Sequence, residues 1–111
     1  MNTENLCYDS NIVTELIQIL GEYSFRLEGI PEIEIKVKLY RYIDSKNICF
    51  ETSHYIKTPE QCGAYMTNVN YAGNEEAALE RAIHTITDFY KTGIECGHEP
   101  NSSWLIENTS Y

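Results

Sequence analysis

Residues 33–40 read IEIKVKLY, and this stretch decides the fold class. Its apolar side chains alternate with mostly charged ones, which is the pattern of a β-strand that buries one face. The next polar stretch, DSKN at residues 44–47, has the composition of a hairpin connection. A second strand is predicted over residues 48–57. Its apolar side would carry Ile48, Phe50, Thr52, His54 and Ile56.

Helical periodicity flanks these two strands. Before them, residues 9–23 carry apolar side chains at a period near 3.6, which predicts a first helix. After them, Asn74 is a suitable N-cap, and residues 77–96 carry a second apolar stripe that Gly97 ends. Residues 65–71 alternate more weakly and are predicted to form a third strand.

The predicted order is therefore α-β-β-β-α in a single α+β domain over residues 1–111. Consecutive strands with short connections favour a three-stranded antiparallel sheet, with both helices packed on one face. Residues 1–8 are assigned to an N-terminal arm and residues 98–111 to a C-terminal tail. The adjacent apolar residues Trp104, Leu105 and Ile106 predict that this tail packs back on the body.

Composition favours an acidic protein of the cytoplasm. The chain has 111 residues and a formal net charge of -9. No apolar run approaches the roughly 20 residues that cross a bilayer, and the N-terminus lacks the basic-then-apolar order of a signal peptide, so no membrane association is expected. The four cysteines are widely spaced, which predicts free thiols in a reducing compartment.

Motifs for catalysis or metal binding do not occur in the sequence. It contains no G-x-G-x-x-G, G-x-x-x-x-G-K-[ST], G-x-S-x-G, H-E-x-x-H or C-x-x-C, so we expect no catalytic residues, cofactor or metal. His54 is a possible ligand contact, because alternation places it on the apolar face of the second strand, where a structural core histidine is the alternative. Cys96, His98 and Glu99 cluster in sequence, and we interpret them as a helix C-cap with His98 at the negative end of the dipole.

The outward face of the first two strands is the leading candidate for an interaction surface. Alternation places six basic or aromatic side chains there: Lys36, Lys38, Tyr40, Tyr42, Tyr55 and Lys57. Cross-strand neighbours would form one continuous surface. Because tyrosine is enriched in interfaces and a basic face can dock on an acidic one, a protein partner or a homodimer is predicted. A solvated sheet face and a nucleic-acid platform are the alternatives.

The α-β-β-β-α order resembles the double-stranded RNA-binding domain, whose second helix presents lysines to phosphates. Here that helix begins with Asn74, Glu75 and Glu76, so direct nucleic-acid binding is not expected. The order and the acidity also look like some small phage inhibitors of CRISPR nucleases, which present carboxylates where DNA phosphate would lie. This resemblance implies an acidic stripe, for which solvated helix positions are the alternative. Its candidate residues are Glu75, Glu76, Glu80 and Asp88.

Taken as a sequence, the chain is predicted to be a protein-protein interaction or regulatory module without catalytic activity. An acidic nucleic-acid mimic and a small-molecule-binding domain are the alternatives. The mimic requires a contiguous row of exposed carboxylates on the second helix, whereas the ligand-binding domain requires a pocket around His54 and the tyrosines.

Overall fold

The computed structural model describes residues 6–111, in which one α-helix packs on an antiparallel sheet. The strands are β1 (Ile17–Leu27), β2 (Ile30–Tyr42), β3 (Ile48–Thr52), β4 (His54–Ile56), β5 (Tyr71–Ala72) and β6 (Leu105–Glu107). The helix α1 spans Glu75–Glu95, and a 3-10 turn spans Ser102–Trp104. One sheet has the order β1-β2-β3-β5, and β4 pairs with β6 in a second sheet. No helix in the described residues is long and apolar enough to cross a membrane. The predicted N-terminal arm, residues 1–8, lies mostly outside the described residues.

The first predicted helix, at residues 9–23, is wrong. The second half of this region belongs to β1, which pairs with β2 from Ile17 opposite Tyr42 to Leu27 opposite Ile30. Ile12 and Val13, which fitted the helical stripe before β1, are exposed, and Ile12 has 76% of its surface in solvent. A helix here would have left one edge of the long strand β2 without hydrogen-bond partners, whereas the hairpin satisfies that edge.

The second and third predicted strands are also corrected. The second is interrupted at Ser53, because β3 pairs with β2 as far as Thr52, while β4 pairs with β6. The third is confined to Tyr71–Ala72. The loop before it is held at the edge of β3, where the Phe50 N–H donates to the Asn70 carbonyl at 2.9 Å. The main sheet therefore has four strands instead of three, and one helix instead of two covers it.

The second predicted helix is confirmed as α1. The Asn74 side chain accepts a hydrogen bond from the Ala77 N–H at 2.8 Å, which caps the first turn. At the other end, Gly97 has φ of 89°, a left-handed conformation that favours glycine and ends the helix. The buried stripe of α1 consists of Ala78, Ala82, Ile86 and Gly93.

The core lies between α1 and the inner face of the main sheet, in two clusters. One surrounds Ile35 and Ile86 and includes Trp104 and Leu105, which are 5% and 7% exposed, so the prediction that the tail packs back is confirmed for these two residues. The other joins apolar residues of β2, β3 and β5 to the small side chains of α1: Val37, Leu39, Ile48, Phe50, Ala72, Ala78 and Ala82.

The β1-β2 hairpin is anchored at its turn. Gly29 lies so close to α1 and the C-terminal segment that a Cβ atom there would overlap the Tyr90 hydroxyl oxygen and lie 2.6 Å from Pro100. The Gly29 N–H donates to that hydroxyl at 3.1 Å. The opposite end, where Ile17 pairs with Tyr42, lies beyond the part of β2 that pairs with β3.

Candidate interaction surface

The outer face of the main sheet, opposite α1, is the candidate interaction surface. Val37 and Leu39 point into the core beside α1. Lys38 and Tyr40 alternate with them along β2, so their side chains point outward. Strand pairing aligns such outward residues in rows across the sheet. One row contains Ile19, Tyr40, Cys49 and Tyr71, with one residue from each strand. The next row contains Glu22, Lys38 and Glu51.

The first row is apolar and open to solvent. Ile17 and Tyr42, which pair at the end of the hairpin, extend it. Exposed fractions are 41% for Ile17, 55% for Ile19, 40% for Tyr42 and 43% for Tyr71. Tyr40 is half-buried, and its ring meets Tyr42 edge-on with centroids 5.8 Å apart. We call these five residues the tyrosine patch.

The second row is charged and covered by the end of the chain. The Tyr111 hydroxyl donates to Glu22 Oε2 at 2.7 Å, and the Lys38 Nζ lies 4.6 Å from the centre of the Tyr111 ring. Asn108 Nδ2 lies 3.3 Å from Glu51 Oε1. Residues 108–111 therefore lie over Glu22, Lys38 and Glu51, and we call them the C-terminal cover.

Two ionisable groups of the first row, Tyr40 and Cys49, have raised pKa values. Burial, followed by the proximity of Cys49, raises the pKa of Tyr40 to about 12. Burial also raises the pKa of the Cys49 thiol. The patch therefore offers apolar and aromatic contact, and Tyr40 is not positioned to act as a base at neutral pH.

No protein-family model, curated protein or solved structure matches this chain.

The predicted six-residue surface is divided in the structure. Tyr40 and Tyr42 lie in the tyrosine patch and Lys38 in the charged row, while Lys36 lies 4.0 Å from a Glu34 carboxylate oxygen. The surface is not the continuous aromatic and basic surface that alternation predicted, because carboxylates flank Lys38 on both neighbouring strands.

Tyr55 and Lys57 are separated from the other four residues by the break at Ser53. Tyr55 lies in β4 opposite Ile106 of β6. It lines a small depression of about 210 Å³ at the open edge of β3, together with Tyr65 and Met66. Lys57 follows β4 and is exposed, and its N–H donates to the Trp104 carbonyl.

His54 does not lie in the core. Its Nδ1 is 2.8 Å from the Ser53 Oγ, and its ring lines a shallow surface depression of about 370 Å³ that also includes Glu107 and Tyr111. Burial lowers the pKa of His54, and the nearby Glu107 opposes this effect. The interruption at Ser53 explains the difference from the prediction, because strict alternation does not continue through a break between two strands.

The predicted acidic stripe lies in α1, where Glu75, Glu76, Glu80 and Asp88 are all exposed. Glu76, Glu80 and Asp88 fall in one row at steps of four residues, with His84 between the last two. The His84 Nδ1 is 3.0 Å from Asp88 Oδ1, so the row is not purely acidic.

The predicted helix C-cap takes a different form at His98. Its backbone N–H donates to the Gly93 carbonyl, while its ring Nε2 meets Glu60 Oε1 at 2.7 Å. Within residues 6–111, all four cysteines are free, and no group of three or more His, Cys, Asp or Glu side chains is arranged to hold a metal ion.

The predicted surface does not include three members of the tyrosine patch. The helical periodicity of residues 9–23 covers Ile17 and Ile19, although they alternate with Gln18 in the way a strand requires. Tyr71 lies in the predicted third strand, but the sequence gives no register that would place it beside Cys49.

Proposed function

We propose that the protein is a protein-protein interaction module and that the tyrosine patch is its contact surface. The observation that carries this proposal is five apolar or aromatic side chains adjacent on one exposed sheet face. A sheet face in contact with water usually presents polar side chains, and contiguous apolar patches often mark binding sites. Tyrosine is also enriched at the centres of protein interfaces.

The charge around the tyrosine patch indicates the chemistry of the partner. Glu15 and Asp44 line a depression beside Tyr42 at one end, and Glu22 and Glu51 belong to the row at the other end. The whole chain has a net charge of -9. We therefore expect a folded protein partner with an apolar centre and a basic rim, whose association slows as salt rises.

The module acts by occupying a surface of its partner and not by chemistry. Tyr40 of the tyrosine patch and the neighbouring Cys49 stay protonated at neutral pH, since their pKa values are raised. Its regulatory effect would be to block or to recruit the partner. Free cysteines fit a reducing compartment, and we place the protein in the cytoplasm.

A pair of matched variants tests the tyrosine patch. Ile17 and Ile106 are both 41% exposed isoleucines in strands, but only Ile17 belongs to the patch. Proteins captured by the wild-type chain from an extract of its native cell are purified and titrated by calorimetry against the wild type, Ile17→Asp and Ile106→Asp. We expect Ile17→Asp to weaken binding about tenfold or more, and Ile106→Asp to bind as the wild type. Equal affinities for all three chains would contradict the proposal.

An acidic nucleic-acid mimic is the second candidate, favoured by the exposed carboxylates of Glu76, Glu80 and Asp88 along α1. Its partner would be a nucleic-acid-binding protein that contacts the helix. In the same titration, the double variant Glu76→Lys, Glu80→Lys would then lose binding, and Ile17→Asp would retain it. If Ile17→Asp loses binding and the double variant retains it, the result supports the tyrosine patch.

A small-molecule-binding domain has less support. The depression that contains Tyr40, Tyr55 and Tyr65 has a volume of about 210 Å³, which is below the range of about 300–1,000 Å³ typical of ligand pockets. His54 lies in a different depression. That depression includes Tyr111 but is shallow, and Tyr40, Tyr55 and Tyr65 lie outside it, so His54 and most of the tyrosines are divided between two places.

A further inference from the structure

β1 is an edge strand, and no other described strand pairs with its outer side. The Ser53 N–H donates to the Lys36 carbonyl at 2.8 Å, and the Lys36 N–H donates to Ser53 Oγ at 2.7 Å, so the backbone groups of Lys36 point away from β1. Because Ser24 lies opposite Lys36 in an antiparallel pair, its own N–H and C=O point away from β2. Glu22, two residues earlier, presents its backbone groups in the same outward direction.

We infer that β1 pairs antiparallel with β1 of a second copy of this chain, around a two-fold axis at Ser24. In this register, Glu22 lies opposite Arg26 of the second copy, and Arg26 lies opposite Glu22 of the second copy. The edge is therefore complementary in charge to itself. Both side chains already have contacts within one chain, since Glu22 accepts from the Tyr111 hydroxyl and Arg26 donates to the Pro31 carbonyl beside Glu34, so pairing exchanges these exposed contacts for contacts between copies. On the other face of the strand, Tyr23 lies opposite Phe25 of the second copy, which forms two aromatic cross-strand pairs.

The exposure of Tyr23 agrees with this register. Tyr23 pairs with Val37, whose side chain is fully buried, yet Tyr23 itself is 45% exposed because nothing described covers the outer side of β1. Phe25 is half-buried and contacts both core clusters. Pairing of the two copies extends the apolar face from Phe25 across to Tyr23 of the neighbour.

Other registers are less complementary. An axis at Tyr23 places Glu22 opposite Ser24 and Arg26 opposite Leu20 of the second copy, so neither charged residue meets an opposite charge across the edge. An axis at Glu22 places two like charges together, which is destabilising across paired strands. Of these three registers, only the axis at Ser24 places Glu22 of one copy opposite Arg26 of the other.

The pairing closes at two copies. The register of β1 against β2 shifts at Ile19/Gly21, before Glu22, and at Phe25/Leu27, where Arg26 lies, so the paired length does not extend beyond Glu22 and Arg26. The two-fold axis uses the β1 edge of both copies. The opposite edge is formed by β5, which has only two residues and is too short to continue the sheet.

The axis is perpendicular to the sheet, so the outer faces of both copies lie on the same side. Ile17 and Ile19 lie about six residues from the axis, which places the two tyrosine patches about 40 Å apart, at a rise of about 3.4 Å per residue. The dimer does not depend on the proposed function of the patch. If the patch binds as proposed, the dimer presents two copies of it to one partner.

Solution mass and charge reversal test this register. Light scattering across a concentration series should give twice the chain mass of 12.8 kDa for the wild type. Glu22→Arg and Arg26→Glu each create two like-charge pairs and should raise the dimer Kd by about tenfold. The double variant Glu22→Arg, Arg26→Glu restores opposite charges and should restore the dimer. Glu95→Arg and Arg81→Glu, which make the same charge changes on exposed positions of α1, should leave the mass unchanged.

A cross-link tests the axis directly. In a chain with all four cysteines replaced by serine, Ser24→Cys should form a disulfide between copies on oxidation, since directly opposite Cα atoms are about 5.5 Å apart. Tyr23→Cys should not form a disulfide, because residue 23 of one copy lies diagonally opposite residue 23 of the other and the two thiols are too far apart. A single-chain mass at every concentration would overturn the inference. So would a double variant no better than the single ones, or a dimer that Ile19→Asp dissociates and Glu22→Arg does not.

Discussion

The two rows of the outer sheet face differ in what lies over them, although they lie on the same strands. Glu22, Lys38 and Glu51 form the charged row, and residues 108–111 lie over it. The tyrosine patch, one row away, is left open to solvent. The chain thus covers its polar row with its own C-terminus and leaves its apolar row uncovered.

This arrangement is the reverse of what stability alone would favour. Burying apolar surface is stabilising, at about 25 cal/mol per Å², whereas contacts between exposed charged groups contribute little. Covering the tyrosine patch with apolar side chains would therefore stabilise the fold more than covering the charged row does. An apolar surface that the fold does not bury agrees with the proposal that a partner buries it.

The largest expected effect is loss of the anchor that holds the C-terminal cover. Trp104 is 5% exposed, and its ring meets Tyr90 edge-on with centroids 5.9 Å apart. Trp104→Ala should lower the free energy of unfolding by about 3–5 kcal/mol, because it leaves a large cavity in the core. The measurement is urea denaturation followed by circular dichroism. A loss below about 1 kcal/mol would mean that the C-terminal segment is not held by this residue.

A smaller effect is expected within the C-terminal cover itself. Tyr111→Phe removes the hydroxyl that donates to Glu22 and keeps the ring beside Lys38. We expect a loss of about 0.5–1.5 kcal/mol at pH 7, the usual contribution of one hydrogen bond.

The effect of Tyr111→Phe should depend on pH. Burial, followed by the hydrogen bond to Glu22, raises the pKa of Tyr111 above its usual value of 10.0. The stabilisation is therefore fully present below about pH 10 and is lost as pH rises towards the higher pKa of the folded state. Urea denaturation of both chains from pH 7 to 11 should show a difference that narrows only above pH 10. A constant difference would mean that the hydroxyl does not donate to Glu22.

The sequence was sufficient to predict the elements whose signals are local. The alternation in residues 33–40 predicted β2, and Asn74 and Gly97 predicted both ends of α1. The apolar trio at residues 104–106 predicted that the tail packs on the body, which holds for its first two members. Each of these signals lies within the element that it predicts.

The misses have a common physical cause, which is that the deciding contacts are distant in sequence. Residues 9–23 fit a helical stripe, but pairing with β2 determines the conformation of β1. The C-terminal cover has no local signal, because Tyr111 and Glu22 are 89 residues apart. The tyrosine patch was found only in part for the same reason, since its row is defined by the registers of three strand pairs.

The smallest expected effect on stability is in the tyrosine patch, and it separates a binding surface from a structural one. Ile19 is 55% exposed, and threonine keeps its β-branched shape while removing apolar area. Ile19→Thr should change the free energy of unfolding by no more than about 0.5 kcal/mol, as surface substitutions usually do. The same variant should weaken binding to the partner measurably in calorimetry. A large loss of stability with unchanged binding would instead mean that Ile19 stabilises the fold and does not bind a partner. A side chain that contributes only to binding leaves the midpoint of unfolding unchanged.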